Sequence, residues 1–473
     1  MERIKTMIII GLFAMSIFLS SQVLYTSGPL IGEEQATPEV SSFVLSNFVL
    51  PESMILHFSK DSHTILSATK EPTLWAAGKT QMKLVLESVG TQQEEMDWAL
   101  LREKKAEESI DYLFSFPIST DLLLRTYGIV PDESLQLPDA LTGIWISGEN
   151  GELVLIHDKS AIRLIPDIRS SDLSALIRRV REEEYIHYYP GVLLNDKAEF
   201  YLPITLGDVL PNVRVQSAVD VNDSASLEKI AKGFFEKSYP YARRIVESDY
   251  TTIFVQGNDT LVISEGGLLE YTNTAVQTSQ SSSLFEGLQV AGKFIEERDQ
   301  IGDPVYLTGV EVGEDRDGTE TYQFSFSYFV NDTPVRLKKE MEESWNLRSP
   351  IEVLVKNNEV KTYRRVLRIV QPDFQPLPQD TLGPQDVIDR NFDTIVARYQ
   401  GSLRARGEAE PENYGQAIYQ AIEDVKLSYF DCPDQRMNGE MELMAIWEVL
   451  IDDYAYYFDV HTGNLADVVE REG

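Results

Sequence analysis

The chain has 473 residues and carries 42 basic against 76 acidic side chains, which gives a net charge of −34. A surface of that sign repels phosphate, so nucleic acid is excluded as a partner, and docking on anionic lipid is disfavoured. With 43% hydrophobic and 25% charged residues, the chain is globular. Its length suggests roughly two to four domains.

The first element along the chain is an apolar stretch from Met7 to Tyr25, MIIIGLFAMSIFLSSQVLY. No charged side chain lies between Lys5 and Glu33. A transmembrane helix needs about 20 apolar residues, and this stretch comes close to that length. We therefore predict a single transmembrane helix at 7–25, preceded by a cytoplasmic N-terminus at 1–6.

Two interpretations of this stretch are open, an uncleaved anchor and a cleaved signal peptide. A signal peptide has a shorter apolar region of about 7–15 residues, followed by a small-x-small cleavage site. Here the apolar run is longer and ends at Tyr25, an aromatic residue suited to the membrane interface, which favours the anchor. Arg3 and Lys5 precede the run, so the positive-inside rule places the bulk of the chain outside the cell.

Residues 33–205 are predicted to form an α+β domain. A strand begins near Ser53, while the run Trp75–Ser88 fits a helix or a strand equally well. The apolar spacing of Glu94–Phe114 predicts a helix. The pair Asn150-Gly151 favours a tight turn and predicts a β-hairpin there.

The N-terminal region continues with an amphipathic helix predicted at Asp172–Ile186. The segment 206–275 is predicted to complete this region as a helix plus a hairpin. Its helix is placed at Ser226–Glu236, and its two strands are placed at Thr251–Gln256 and Thr260–Ser264. The polar run after this hairpin, Thr272 to Ser283, has the composition of a linker.

The last part of the chain is predicted to contain two copies of one plan, at 284–373 and 384–473. Each copy starts with a helix and continues into antiparallel strands joined by tight turns. The predicted helices and strands are Leu284–Gln300, Val305–Val312 and Glu320–Val330 in the first copy, and Pro384–Gln400, Val425–Phe430, Leu443–Ile451 and Tyr454–Val460 in the second. The fold class is thus α+β, a transmembrane helix followed by an extracytoplasmic multidomain region of helices packed on antiparallel sheets.

We find no constellation of residues that predicts catalysis, a cofactor or a metal. The five histidines have no metal-binding spacing, and His57 and His63, six positions apart, share no obvious face. The only cysteine, Cys432, excludes an intramolecular disulfide and a cysteine-based metal site. The acidic run at 314–318 fails the EF-hand pattern and predicts a solvated hairpin tip. The G-x-S-x-G nucleophile motif, the P-loop and the dinucleotide fingerprint are absent from the sequence.

The block Leu227–Asn273 contains KGFF and YARRIVESDYTTIFVQGNDTLVISEGGLLEYTN, and the chain ends with a repeat that contains YYFDVHTG. Together with the anchor and the length, these stretches resemble the YycH family, accessory regulators of the YycF/YycG (WalR/WalK) two-component system of Gram-positive bacteria. The resemblance covers nearly the whole chain, but its motifs are structural and not catalytic.

The resemblance implies a single-pass protein without enzymatic activity. It would act with a YycI-like protein on the sensor histidine kinase YycG/WalK, largely through transmembrane contacts, and so set cell-wall metabolism. The direction is open, because the family restrains the kinase in some bacteria and activates it in others. Ser16 and Ser20 are four apart and share one helix face, so we predict that they contact the transmembrane partner.

Two further functions stay open at this stage. The first is an extracytoplasmic module that captures a peptide, lipid or wall fragment, with the anchor only as a tether. The second is an exported hydrolase, which requires that one acid or histidine substitution abolishes function in an intact fold.

Overall fold

The computed structural model describes residues 44–157, 160–167, 173–183, 185–193, 195, 200–203, 211–264, 266–275, 282–298, 304–339, 344–366, 368–371, 380–431 and 441–471. The predicted transmembrane segment at 7–25, with Ser16 and Ser20, lies outside these residues, as does Cys432. Among the described residues, no helix has both the length and the apolar character needed to cross a membrane.

The α-helices pack on two β-sheets. Their bounds are α1 (Pro72–Leu86), α2 (Trp98–Lys104), α3 (Thr120–Tyr127), α4 (Leu173–Glu182), α5 (Ser224–Phe235), α6 (Leu284–Arg298), α7 (Pro384–Arg390), α8 (Phe392–Arg406) and α9 (Tyr414–Gln420). This arrangement confirms the predicted α+β class.

The first sheet has nine strands, and its neighbouring strands are antiparallel. The strands are β1 (Ser53–Ser59), β2 (Ser62–Leu66), β3 (Gln92–Met96), β4 (Ser109–Ser119), β5 (Ala140–Ser147), β6 (Leu153–His157), β7 (Ser160–Ile165), β8 (Tyr188–Pro190) and β9 (Tyr201–Pro203). Their order is β3-β7-β6-β5-β4-β1-β2-β8-β9, so β1 and β4 lie in the interior of the sheet.

The second sheet has fifteen strands. They are β10 (Val213–Ser217), β11 (Arg243–Val246), β12 (Thr252–Gln256), β13 (Asp259–Ile263), β14 (Leu268–Asn273), β15 (Val305–Glu314), β16 (Glu320–Val330), β17 (Thr333–Leu337), β18 (Ile351–Lys356), β19 (Glu359–Val366), β20 (Arg368–Val370), β21 (Ile422–Asp431), β22 (Met441–Ile451), β23 (Tyr454–Asp459) and β24 (Leu465–Glu470). The main path runs β11-β12-β13-β14-β19-β18-β16-β17-β21-β22-β10-β20, with β15 beside β16 and the pair β23-β24 beside β22. Strands β17 and β21 pair in parallel and join the two predicted copies in one sheet.

The segment 206–275 does not complete the N-terminal region as predicted, because its strands belong to the second sheet. Strand β14 pairs with β19, and β10 pairs with β22 and β20. Aromatic packing accounts for this placement. The ring of Phe234 in α5 lies 5.5 Å from that of Tyr271 and 6.0 Å from that of Tyr363, and Phe294 of α6 packs 5.3 Å from both tyrosines.

The helix predicted over Glu94–Phe114 is wrong, since the chain there forms β3, the short α2 and then β4. Strand β4 is enclosed between β1 and β5 in the sheet, and residues 109–112 are all buried. A strand buried on both faces lacks the alternation that identifies strands in sequence. The apolar residues of this stretch therefore matched helical spacing by coincidence.

The ambiguous run Trp75–Ser88 lies largely in α1. Gly78 permits this helix to pack closely, because a Cβ at that position would lie 2.5 Å from the Tyr112 ring. The predicted hairpin around Asn150-Gly151 is confirmed by β5 and β6, with Gly151 at a φ of 69°. The helix predicted at Ser226–Glu236 begins two residues earlier, where the Asp223 side chain caps it by accepting a hydrogen bond from the Ala225 amide.

The helix predicted at Pro384–Gln400 is two helices, α7 and α8, which meet at Asn391. The Asn391 side-chain amide donates to the carbonyl oxygen of Val387 at 2.7 Å and to that of Gly463 at 2.8 Å. This side chain therefore ties the break between the helices to the loop that follows β23.

Candidate functional site

A cavity of about 500 Å³ lies where the nine-stranded sheet meets the second sheet. One wall comes from β1, β2 and β4, and the facing wall comes from β21 and β22, with the turn between β16 and β17 at its side. Its apolar lining includes Ile55, Leu113, Tyr188, Tyr429 and Trp447. Cavities of this size between structural units are common ligand sites.

Hydrogen bonds join the two walls of the cavity. The Ser67 hydroxyl donates to Asp332 Oδ1 at 3.0 Å, and the Asn195 amide donates to the carbonyl oxygen of Ile422 at 3.0 Å. These bonds connect residues that are more than 200 positions apart in sequence. They fix the spacing of the walls.

A buried ion-pair network also borders the cavity. Glu52 Oε1 accepts hydrogen bonds from the Arg336 guanidinium and from the Tyr306 hydroxyl, and Arg336 lies 3.5 Å from Glu448. Burial acts to raise the pKa of Glu52, but the charges of Arg336 and Lys426 outweigh it, so the pKa lies below its usual value. Glu52 is therefore an anion at neutral pH, held between the two sheets.

The second feature of this region is a buried pair of histidines. His57 in β1 and His63 in β2 are cross-strand partners, and their Nδ1 atoms lie 2.9 Å apart. This corrects the expectation that the two histidines share no face, because the turn at 60–61 brings them opposite each other in one hairpin.

A carboxylate and an ammonium group extend the histidine pair. His57 Nε2 lies 2.9 Å from Asp111 Oδ2, and the Lys105 ammonium lies 2.8 Å from the same oxygen. On the other side, His63 Nε2 lies 3.1 Å from the carbonyl oxygen of Lys60. The other oxygen, Asp111 Oδ1, has no hydrogen-bond partner within the described ranges. Asp111 and Lys105 both line the cavity.

The hydrogen bonds of the histidine pair need more protons than two neutral rings carry. The bond to Asp111, the bond between the rings and the bond to the Lys60 carbonyl each need one ring proton, three in all. Two neutral imidazoles carry only two. With both rings neutral, the Asp111 and inter-ring bonds form, and His63 Nε2 faces the Lys60 carbonyl with a lone pair. A third proton would complete all three bonds and leave one positive charge.

Burial opposes that third proton. Burial lowers the pKa of His57, and the positive charge of Lys105 lowers it further. The hydrogen bond to Asp111 and the charge of Asp111 act to raise the same pKa. Burial also lowers the pKa of His63, to about 3. Burial alone would raise the pKa of Asp111, but the charge of Lys105 and the bonds from His57 and Lys105 hold it below its usual value. The pair is therefore neutral at pH 7 and able to take up a proton in acid.

The other three histidines and the acidic hairpin tip bond to backbone or neighbouring side chains, or lie at the surface. His157 and His461 bond to backbone carbonyl oxygens through Nδ1, and His187 is exposed. The acidic tip after β15 lies where the hairpin was predicted, and Asp315 and Asp317 both bind the Lys356 ammonium at 2.7 Å. Within the described ranges, no group of three or more His, Cys, Asp and Glu residues is placed to hold a metal ion.

The structure is similar to the crystal structure of YycH from Bacillus subtilis, with a TM-score of 0.51 at 13% sequence identity. The match covers 89% of this chain and 96% of that chain. The chain has a YycH-like fold. Because so much of the chain is covered, the YycH-like fold includes parts of both sheets that enclose the cavity. No family model matches the sequence, and no curated protein matches it.

Two further solved structures match at lower scores. One is an uncharacterized protein from Eubacterium rectale, with a TM-score of 0.35, 12% identity and coverage of 59% of this chain and 93% of that chain. The other is the Bacillus megaterium YpeB C-terminal domain, with a TM-score of 0.25, 9% identity and coverage of 53% and 98%. These scores are too low to support an argument about this chain.

Proposed function

We propose that this chain is a membrane-anchored regulatory protein that modulates the sensor histidine kinase of the YycFG/WalRK cell-wall system, together with a YycI-like partner. The anchor at 7–25 makes contacts within the bilayer, and the domains that follow make contacts outside the membrane. The observation that carries this proposal is the YycH-like fold over 89% of the chain. The apolar segment near the N-terminus supports it independently.

The transmembrane part of the proposal is tested with the predicted contact face. Substitution of Ser16 and Ser20 together by leucine fills the small-residue face and is expected to change the activity of a kinase-controlled reporter gene. Phe18→Leu, on the opposite face of the same helix, is the matched control and is expected to leave the reporter unchanged. Equal reporter activity in all three strains, at equal protein levels in the membrane, would contradict this assignment.

A second candidate function is the binding of a small extracytoplasmic ligand, and the cavity of about 500 Å³ specifically favours it. Its lining combines aromatic side chains with the charged groups of Asp111 and Lys105. In this case the kinase would respond to ligand through the domains outside the membrane.

The second candidate is tested by obstructing the cavity. Ile186 lines it and is 39% exposed, so Ile186→Trp places a large ring at the cavity with little disturbance of the core. A changed reporter with unchanged membrane partners would support ligand binding. An unchanged reporter would leave the anchor as the source of regulation.

A further inference from the structure

Within the described ranges, strand β11 forms a free edge of the second sheet. It stands at the end of the strand order, with β12 as its neighbour, and all four of its residues are exposed. A free edge presents unpaired backbone N–H and C=O groups, to which another extended chain can add as a further strand. The edge of the sheet at β11 is therefore able to accept a partner strand.

The charge of β11 differs from that of the other edge strands. Among the described edge strands longer than three residues, the other three each carry two acids: Glu94 and Glu95 in β3, Glu311 and Glu314 in β15, and Asp467 and Glu470 in β24. Acidic side chains on an edge repel an acidic partner strand. Strand β11 instead carries Arg243 and Arg244 and no acid.

The two arginines have no carboxylate partner in the described part of the chain, although the protein has 76 acidic residues. Arg244 donates to the Ser224 hydroxyl at 2.7 Å and lies over the Phe254 ring at 5.8 Å. Arg243 is exposed. Unpaired guanidinium groups are suited to bind carboxylates in a fork geometry.

Exposed apolar side chains surround this edge. Tyr241 is 81% exposed, Val246 is 56% exposed and Tyr250 is 60% exposed, while Ile245 is 37% exposed. Aromatic residues and arginines are the residue types most enriched in protein interfaces. The edge thus combines free backbone groups, unpaired positive charge and apolar area.

We propose that β11 is the docking edge for an extended acidic segment of the partner protein, which adds to the second sheet as a further strand. The choice of partner, the YycI-like protein, rests on the proposed function. A second copy of this chain is a poor occupant, because pairing of two β11 strands would bring their arginines close together.

The test uses the full-length chain co-expressed with the full-length YycI-like protein of the same organism and purified from membranes in mild detergent. The test variant is Arg243→Glu, which reverses one of the two positive charges on β11. Arg316→Glu, at the exposed tip after β15, is the charge-matched control. Thermal unfolding of each variant confirms that the fold is intact.

The wild-type protein and Arg316→Glu are expected to capture the YycI-like protein equally, and the β11 variant is expected to capture about tenfold less. Equal capture by the β11 variant would overturn the docking edge and leave the proposed function standing. A shift of the variant from two copies to one, with partner capture retained, would show that a second copy occupies the edge and would overturn the proposal. If the wild-type protein captures no partner, the proposed function fails and the inference fails with it.

Discussion

Substitution of His63 by glutamine is expected to weaken the acid sensitivity of the fold. The folded-state pKa of His63, about 3, lies below the unfolded value of 6.5, so between these pH values the unfolded chain binds the extra proton. The stability that His63 contributes is fully present above pH 6.5 and is lost as the pH falls. At 1.4 kcal/mol per pKa unit, the loss between pH 7.5 and 4.5 is about 3 kcal/mol.

The measurement is urea unfolding of the full-length protein in detergent at pH 7.5 and pH 4.5, followed by tryptophan fluorescence. His63→Gln is expected to lose about 3 kcal/mol less than the wild-type protein over this interval. His187→Gln, in which the replaced histidine is exposed, is the matched control and is expected to follow the wild type. Equal losses in His63→Gln and wild type would show that His63 takes up its proton as readily in the folded as in the unfolded protein, and would refute the assignment of a neutral histidine pair.

Two stability predictions concern the cores. Asp431→Asn removes the carboxylate that binds the buried Arg368 guanidinium through two hydrogen bonds. Thermal or urea unfolding is expected to show that the free energy of unfolding falls by about 3–5 kcal/mol. A fall of less than about 1 kcal/mol would contradict the importance of this ion pair. Gly78→Ala places a Cβ against the Tyr112 ring and is expected to cost about 1–3 kcal/mol. Gly401→Ala in α8 is the control, because a Cβ at that position meets no neighbouring atom, and it is expected not to destabilise the protein. Equal stability of the two alanine variants would exclude close packing at Gly78.

The elements that the sequence predicted well are those fixed by neighbouring residues. The turn at Asn150-Gly151 requires a positive φ at Gly151, and the structure has it. The acidic run at 314–318 was predicted to be a hairpin tip, and Gly318 adopts a φ of 76° there, between β15 and β16. In both places the local backbone preference and the final fold agree.

The elements that the sequence missed depend on partners far along the chain. Strand β4 is buried because β1 and β5 flank it, and neither neighbour is visible in the 94–114 pattern. The network of His57 and His63 includes Asp111, which lies 54 positions beyond His57. The turn residues Lys60-Asp61 between the two histidines were the local signal that a hairpin places them opposite each other.

The cavity could not be predicted from the sequence either, because its walls come from two sheets that meet only in the folded protein. Asp332 and Ser67 are 265 positions apart, and no local pattern relates them. The fold class and the family resemblance can therefore be predicted from the sequence, but the described site cannot.

The most direct test of the proposed function is co-purification of the sensor kinase and the YycI-like protein with the full-length chain from membranes. Two versions are compared, the native chain and a chain in which Met7–Tyr25 is replaced by an unrelated membrane span of equal length. We expect the native chain to retain both partners and the replaced chain to lose the kinase, with a matching change in kinase-controlled transcription. Equal recovery of the kinase and equal transcription with both anchors would contradict the proposed role of the transmembrane segment.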